Sequence, residues 1–237
     1  MAINRKTIRI LVEGEPEKTF LLERIIKKYK FCFPDIDFDV IKVGRKSILL
    51  CDEIIFRNFQ MLHDPNIICF LLPDFHPISC HNLDHTDLNS FRNNIYNIIE
   101  RIQPAHNIPD YRERFIIHFF KHGGDVIFLT NLDLLFEEFN INDENFMEEI
   151  REECGSVRLE ELPQNPGDQS FEKRLLTRIL RKVGKSYTIK NLRNLIKKLR
   201  IEDLINKLPH FKLFLHDLFK FAEENEIPNR LRDLLEI

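Results

Sequence analysis

The stretch that most constrains the fold is a short apolar segment, Ile8–Val12, followed at once by glycine, proline and acidic residues. A run of this length and β-branched character is typical of one buried strand. Gly14 breaks the run, and Pro16 stands where a helix would begin, a position that proline favours. Apolar residues recur at helical spacing from Leu21 onward. The sequence therefore predicts a strand, a tight turn and a helix.

Two acidic residues occupy this turn. Glu13 follows the predicted strand and Glu17 lies in the predicted first helical turn. Ligands of open α/β sheets bind at the carboxyl ends of the strands. A solvated glutamate that complements the helix dipole would explain Glu17 well and Glu13 less well. For Glu13, a structural role and a chemical role both stay open.

Three further apolar runs predict strands, and helical patterns separate them. The predicted strands are Phe38–Val43, Ile67–Leu72 and Arg114–Phe120, and the main helices between them are Leu49–Leu62 and Leu88–Ile102. Alternation of this kind predicts an α/β fold with a mostly parallel sheet flanked by helices.

Acidic residues follow three of the predicted strands. Asp74 comes after the most apolar run in the chain, and Asp125 comes after the last predicted strand. Glu13, Asp74 and Asp125 would share one edge of a parallel sheet and could converge on a divalent cation. Oxygen ligands suit Mg²⁺ or Mn²⁺, ions that act on phosphate groups.

The rest of the chain differs in pattern and in charge. We predict an α/β domain over residues 1–162 and an all-helical carboxyl-terminal region over residues 163–237, basic in its first half. Residues 132–161 carry 11 acidic residues against 2 arginines, and residues 171–200 carry 11 lysines and arginines against one acid, Glu172. The basic segment 171–200 is either a face for DNA, RNA or another anion, or a surface that docks on the acidic stretch. We also predict that the acidic stretch Leu134–Cys154 is helical.

Composition excludes several classes. The formal net charge of −3 gives no global nucleic-acid signature, and no run is long enough to cross a membrane. Five cysteines without metal-binding spacing predict free thiols in a reducing compartment. The amino-terminal segment lacks the apolar core of a signal peptide, so we predict a cytoplasmic protein. His76, Cys80, His81 and His85 match no standard zinc spacing, and we favour a surface loop there.

The sequence contains neither a P-loop nor a dinucleotide fingerprint nor a nucleophile elbow. The opening Leu11-Val12-Glu13-Gly14-Glu15-Pro16-Glu17 instead resembles the first motif of Toprim domains. These are the metal-binding catalytic folds of topoisomerases, primases and overcoming-lysogenisation-defect nucleases. The chain is more similar still to a Toprim-like family of uncharacterised prokaryotic proteins.

The resemblance to that family covers most of the chain in short motifs. They are Asp74-Phe75, His122-Gly123-Gly124-Asp125 before an apolar segment, Lys173-Arg174 at a helix start, and Pro209-His210-Phe211. The family has a glutamate where this chain has Asp125. Toprim domains also carry an Asp-x-Asp pair, and His76 stands where its second aspartate would be.

The resemblance implies a Mg²⁺-dependent nuclease or phosphotransfer enzyme that acts on nucleic acid. Glu13 would be a metal ligand or general acid/base, and Asp74 and Asp125 would be metal ligands. His122 would orient a ligand or carry a proton, and Lys173 and Arg174 would contact phosphate. The alternatives are a catalytically inactive Toprim-like protein that binds nucleic acid or a partner protein, and a phosphatase of small phosphoesters.

Overall fold

The computed structural model describes residues 5–74, 87–120, 124–155, 159 and 171–237. Within these residues the chain forms a four-stranded, entirely parallel sheet with the order β2-β1-β3-β4. The strands are β1 (Lys6–Val12), β2 (Ile36–Lys42), β3 (Ile67–Leu72) and β4 (Phe115–Ile117). The predicted α/β class, the parallel sheet and the helical carboxyl-terminal region are confirmed.

Helices account for most of the remaining described residues. Between the first three strands lie α1 (Glu15–Phe20), α2 (Lys27–Tyr29), α3 (Lys46–Leu49) and α4 (Asp52–Gln60). A π-helical segment, Leu21–Ile26, joins α1 to α2. Around β4 lie α5 (Leu88–His106), α6 (Tyr111–Arg114) and a 3₁₀ helix, Gly124–Thr130. Then follow α7 (Leu132–Glu138), α8 (Glu144–Gly155), α9 (Phe171–Lys182), α10 (Ile189–Lys198), α11 (Ile201–Lys207), α12 (Pro209–Phe219) and α13 (Asn229–Leu235). Shorter 3₁₀ turns are Lys30–Cys32, Met61–His63 and Glu224–Glu226.

The sheet separates two apolar cores because successive side chains of a strand point to opposite faces. Ile8, Ile10 and Val12 of β1 belong to the larger core, whereas Leu11 belongs to the smaller one. Helices α4 and α5 cover the smaller core. Both faces are therefore buried, which explains why β3 is apolar along its whole length.

The carboxyl-terminal helices pack on the sheet. Phe211 and Phe214 of α12 lie in the larger core, and Phe214 makes an edge-on ring contact with Phe70 of β3 at 5.7 Å between centroids. The predicted division at residues 162 and 163 stays a prediction, because the structure describes neither residue. The two regions nevertheless share one continuous core.

The stretch Leu134–Cys154, predicted to be helical, forms two separate helices, α7 and α8. Between them Asn140 adopts the left-handed conformation, with φ of 53°, which asparagine tolerates better than most residues. Asp143 then begins the second helix by accepting a hydrogen bond from the backbone N–H of Phe146 at 3.1 Å. Side chains of Asn and Asp thus compete with helix continuation at this point.

The fourth strand is shorter than expected, because β4 spans three residues and is followed by an isolated bridge between Asp74 and Phe120. Among the described helices, none combines the length and the apolar character needed to cross a membrane. Cys32, Cys51, Cys69 and Cys154 are free thiols, as predicted.

Candidate functional site

The carboxyl ends of β1 and β3 bring Glu13 and Asp74 into direct contact. Val12 is in register with Leu72 across the two strands, so the chain continues into Glu13 on one strand and Pro73-Asp74 on the other. The backbone N–H of Asp74 donates a hydrogen bond of 2.8 Å to Oε1 of Glu13. The strand geometry, which the sequence predicted, therefore places two of the three predicted metal ligands side by side.

Gly14 allows a third carboxylate, that of Glu17, to lie close to the backbone that follows β1. A β-carbon built on Gly14 would lie 2.4 Å from Oε2 of Glu17, so any larger residue would collide with that oxygen. Glu17 is only 4% exposed although it stands in the first turn of α1. The sequence favoured a solvated Glu17 that complements the helix dipole, and the burial contradicts that interpretation.

Asp74 lies in an unusually acidic environment. Burial raises the pKa of Asp74 well above its ordinary value, and the charges of Glu17, Glu13, Asp125 and Glu172 raise it further. Its Oδ1 atom is buried and has no hydrogen-bond donor among the residues that the structure describes. An ionised carboxylate in such surroundings is costly unless a positive charge compensates it.

Asp125, the third predicted ligand, belongs to the same electrostatic cluster but has compensating neighbours. Burial raises the pKa of Asp125, while a hydrogen bond from the Tyr187 hydroxyl and the charge of Lys173 act in the opposite direction. The Lys173 ammonium lies 5.7 Å from the centre of the Tyr187 ring. Burial and Asp125 together raise the pKa of Tyr187, so that its hydroxyl keeps the proton it donates.

Sequence reasoning missed Tyr187 and the buried Glu172. Glu172 is 2% exposed in the first turn of α9, next to Lys173. One signal could have found it, because Glu172 is the single acid in an otherwise basic segment. No local pattern marks Tyr187, which lies 62 residues from the Asp125 that it contacts.

A shallow pocket of about 340 Å³ opens beside these carboxylates. Glu13, Glu17 and Asp74 line it together with two cations, Lys42 and Arg45, which sequence reasoning also missed. Lys42 lies 3.6 Å from Glu15, and both side chains are about half exposed. The guanidinium of Arg45 forms no hydrogen bond or ion pair with the described part of the chain. The pocket therefore joins an acidic floor to a cationic rim.

Four cations of the segment 171–200 pair with the acidic helices. The pairs are Arg174 with Glu153 at 3.4 Å, Arg178 with Glu153 at 2.8 Å, Lys182 with Asp143 at 2.7 Å and Lys198 with Glu138 at 2.7 Å. This arrangement matches the docking alternative that the sequence left open. Exposed pairs of this kind contribute little stability, so the phosphate-binding role of Arg174 stays a prediction.

The carboxylate cluster offers the donor atoms that a hard divalent cation prefers, but these atoms are not arranged to coordinate one. Its donors are all oxygens, and the buried Oδ1 of Asp74 is without a donor in the described residues. Yet no three acids, histidines or cysteines of the described ranges stand in an arrangement that could hold a metal ion. A cation would require the carboxylates to move closer together.

Several predicted residues lie outside the described part of the chain. His122, the predicted second catalytic residue, is one of them, and its role stays a prediction. The segment with His76, Cys80, His81 and His85 is another. Comparison of the chain with family models, curated proteins and solved structures found no match. The function must therefore be argued from the site itself.

Proposed function

We propose that the chain is a divalent-cation-dependent enzyme that cleaves or transfers phosphodiester groups of nucleic acid, a Toprim-like nuclease. One observation carries the proposal. Asp74 is buried at the carboxyl edge of a parallel sheet, and the charges of four other carboxylates raise its pKa. A cluster of this kind destabilises the fold unless a proton or a bound cation compensates its charge, so we infer that it serves a function.

Glu13, Asp74 and Asp125 are the residues that we assign to holding Mg²⁺ or Mn²⁺. When bound, the cation would neutralise charge on a phosphoryl oxygen and lower the pKa of an attacking water. If Glu13 is not a ligand, it would be the general base that receives the proton of that water. Tyr187 would fix the orientation of Asp125 through the hydrogen bond that it already donates. Glu17, which lines the same pocket, would add negative charge there.

The cations of the pocket rim favour a phosphate-containing substrate. Lys42 and Arg45 line the same pocket as Glu13 and Asp74, and Arg45 has no competing partner among the described residues. A guanidinium binds phosphate in a two-point geometry, which orients the group as well as attracting it. The pocket is shallow, which favours a polymer laid across it over a small phosphoester enclosed within it.

A catalytically inactive binding protein is the alternative, and one observation favours it. Lys173 and Tyr187 already supply charge and a hydrogen bond to Asp125. If they hold Asp125 permanently, only two of the three assigned metal ligands, Glu13 and Asp74, are left, and the chain would bind nucleic acid or a protein without cleaving it. Metal binding decides between the two functions.

The first experiment is a calorimetric titration with Mn²⁺ and with Mg²⁺. We expect binding by the unaltered chain, and a loss of affinity of about tenfold or more in Glu13→Gln, Asp74→Asn and Asp125→Asn, because each removes a charged oxygen ligand. Asp52→Asn is the control, since Asp52 is exposed and lies in α4 on the other face of the sheet.

Cleavage assays with the same metal then define the substrate. Labelled single-stranded DNA, double-stranded DNA and RNA are compared with a small phosphomonoester. Cleavage of a polymer that Asp74→Asn loses would support the proposal. Cleavage of the phosphomonoester alone would replace it with the phosphatase alternative. Failure of the unaltered chain to bind either metal, with or without DNA present, would refute the metal-dependent mechanism.

A further inference from the structure

A second pocket lies at the opposite end of the strand order, beside the edge strand β4. It encloses about 470 Å³, which is within the range of small-molecule sites. Its apolar lining includes Ile116 of β4, Tyr96 of α5 and Phe221 beyond α12. Three cations, Arg92, Arg112 and Lys220, also line it. Apolar surface and convergent positive charge together are typical of sites for organic anions.

Arg92 is held in place before any ligand arrives. Its Nε donates a hydrogen bond of 2.8 Å to the carbonyl oxygen of Ile117. Its Nη2 lies 3.3 Å from Nδ1 of His118. The remaining amino group, Nη1, makes no hydrogen bond to the described residues. The guanidinium is therefore preorganised, and it has donors to spare for a ligand in the pocket that it lines.

The histidine behind Arg92 must be neutral for this contact to form. Nε2 of His118 lies 2.9 Å from a carboxylate oxygen of Asp217, which can only accept, so Nε2 carries the hydrogen. Nδ1 is then the acceptor for Arg92. Burial lowers the pKa of His118, in agreement with a neutral ring. Asp217 thus acts through His118 to orient Arg92.

The other two cations stand at the exposed rim. Arg112 pairs with Glu100, and Lys220 pairs with Asp217 at 2.7 Å. The Arg112 and Lys220 side chains are 60% and 56% exposed, and pairs this exposed are weak. An anion can therefore recruit both cations at small cost. Glu113 and Asp217, which also line the pocket, limit the net positive charge.

The edge of β4 is not available for an added peptide strand. The Tyr96 hydroxyl donates to the carbonyl oxygen of Phe115 at 3.0 Å, and Arg92 occupies the carbonyl oxygen of Ile117. These are backbone acceptors that a pairing strand would need. Side chains of α5 therefore block strand addition, and a small ligand is the occupant that fits.

We propose that this pocket binds a phosphomonoester that carries an aromatic or apolar group, such as a nucleoside monophosphate. The phosphate would contact Arg92, Arg112 and Lys220, and the apolar group would lie against Ile116 and Phe221. The site shares no lining residue with the carboxylate pocket, so it does not depend on the nuclease proposal.

The test is calorimetric titration with adenosine monophosphate in the presence of EDTA, which removes any contribution from a divalent cation. We expect binding by the unaltered chain and a loss of about tenfold in affinity in Arg112→Gln and in Lys220→Gln, since each removes one charge-assisted contact. Arg112→Gln is the more informative of the two, because Lys220 also pairs with Asp217, which orients Arg92 through His118. Arg101→Gln is the matched control, an exposed arginine on α5 outside the pocket.

Adenosine and inorganic phosphate complete the experiment. We expect each to bind more weakly than the monophosphate, because each offers only one of the two features that the pocket recognises. The proposal is overturned if the monophosphate does not bind at millimolar concentration, or if Arg112→Gln and Lys220→Gln bind it as the unaltered chain does. It is overturned equally if Asp74→Asn, in the other pocket, abolishes the binding.

Discussion

Two aspartates, Asp74 and Asp217, show how differently one chain can treat a carboxylate removed from water. Asp74 is surrounded by other carboxylates, and both its burial and their charges raise its pKa. Burial alone would also raise the pKa of Asp217, but hydrogen bonds from His118, Lys220 and His216 outweigh it and lower the pKa far below the ordinary value. The ionised carboxylate is therefore unfavourable at Asp74, whereas hydrogen bonds stabilise it at Asp217.

The contrast separates a structural carboxylate from a functional one. Asp217 joins α12 to β4 through His118, and its charge is matched within the chain. The charge of Asp74 is not matched within the described residues, so it must be compensated by a proton or by a bound cation. A buried acid whose partners are all acids is therefore the stronger candidate for a binding site.

The largest expected effect is stabilisation of the acidic region by metal. If a cation completes the cluster around Asp74, Mn²⁺ at a hundred times its dissociation constant should stabilise the fold by about 2.7 kcal/mol. For a chain of this size that corresponds to an increase in Tm of about 5–11 °C. Differential scanning calorimetry with and without metal measures it. Asp74→Asn should lose the increase, and an equal increase in that variant would place the metal elsewhere.

The central strand of the fold was accessible from the sequence because β3 is one continuous apolar run. Ile67–Leu72 was predicted to the residue, since a strand buried on both faces is apolar throughout and has sharp ends. Asp74 and Glu13 were accessible for the same reason, as residues that follow such strands. The hydrogen bond of 2.8 Å between the backbone N–H of Asp74 and Oε1 of Glu13 follows from the parallel register of β1 and β3.

The remaining members of both pockets depend on tertiary contacts that no local pattern encodes. Tyr187 reaches Asp125 across 62 residues, and Asp217 reaches His118 across 99. Glu17 looks like an ordinary first-turn acid in the sequence, and only the tertiary packing around α1 buries it. The sequence thus indicates where strand ends lie, and packing decides which other side chains join them.

The second expected effect is a loss of stability when Asp217, whose charge is matched within the chain, is replaced. Asp217→Asn removes the charge that holds His118 and Lys220, and we expect it to destabilise the fold by about 1–2 kcal/mol, a value reduced for the partial exposure of the side chain. Because folding lowers the pKa of Asp217, its contribution is present above the ordinary value of 3.8 and is lost as the pH falls toward the lower folded value.

Urea unfolding of the unaltered chain and of Asp217→Asn at pH 7 and at pH 3 checks this expectation. The difference between the two proteins should be smaller at pH 3. A difference that stays constant with pH would mean that Asp217 acts through packing and not through its charge.

The third expected effect is a gain in stability when Asp74 is replaced. Without metal, Asp74→Asn should stabilise the fold by about 1 kcal/mol, because an amide replaces a buried carboxylate among carboxylates. Folding raises the pKa of Asp74, so the ionised group begins to cost stability as the pH rises past 3.8 and costs most above the raised folded value. The stabilisation should therefore appear at pH 7 and vanish below pH 4. Urea unfolding in EDTA measures it, and a destabilised variant at pH 7 would show that the carboxylate already has a partner.

The smallest expected effect comes from the exposed ion pairs between the acidic and basic helices. It is the reference against which the effects at Asp74 and Asp217 are compared. Lys182 donates to Asp143 at 2.7 Å, and this hydrogen bond lowers the pKa of Asp143. Both side chains are nearly half exposed, so Lys182→Gln should change Tm by no more than about 2 °C. The variant leaves intact the bond that Asp143 accepts at the start of α8.

Thermal unfolding at low and at high salt measures the change in Tm, which should shrink further as salt screens the pair. A larger shift, insensitive to salt, would mean that the pairing of the basic segment with the acidic helices holds the fold together, and it would make that segment a poorer candidate for binding nucleic acid.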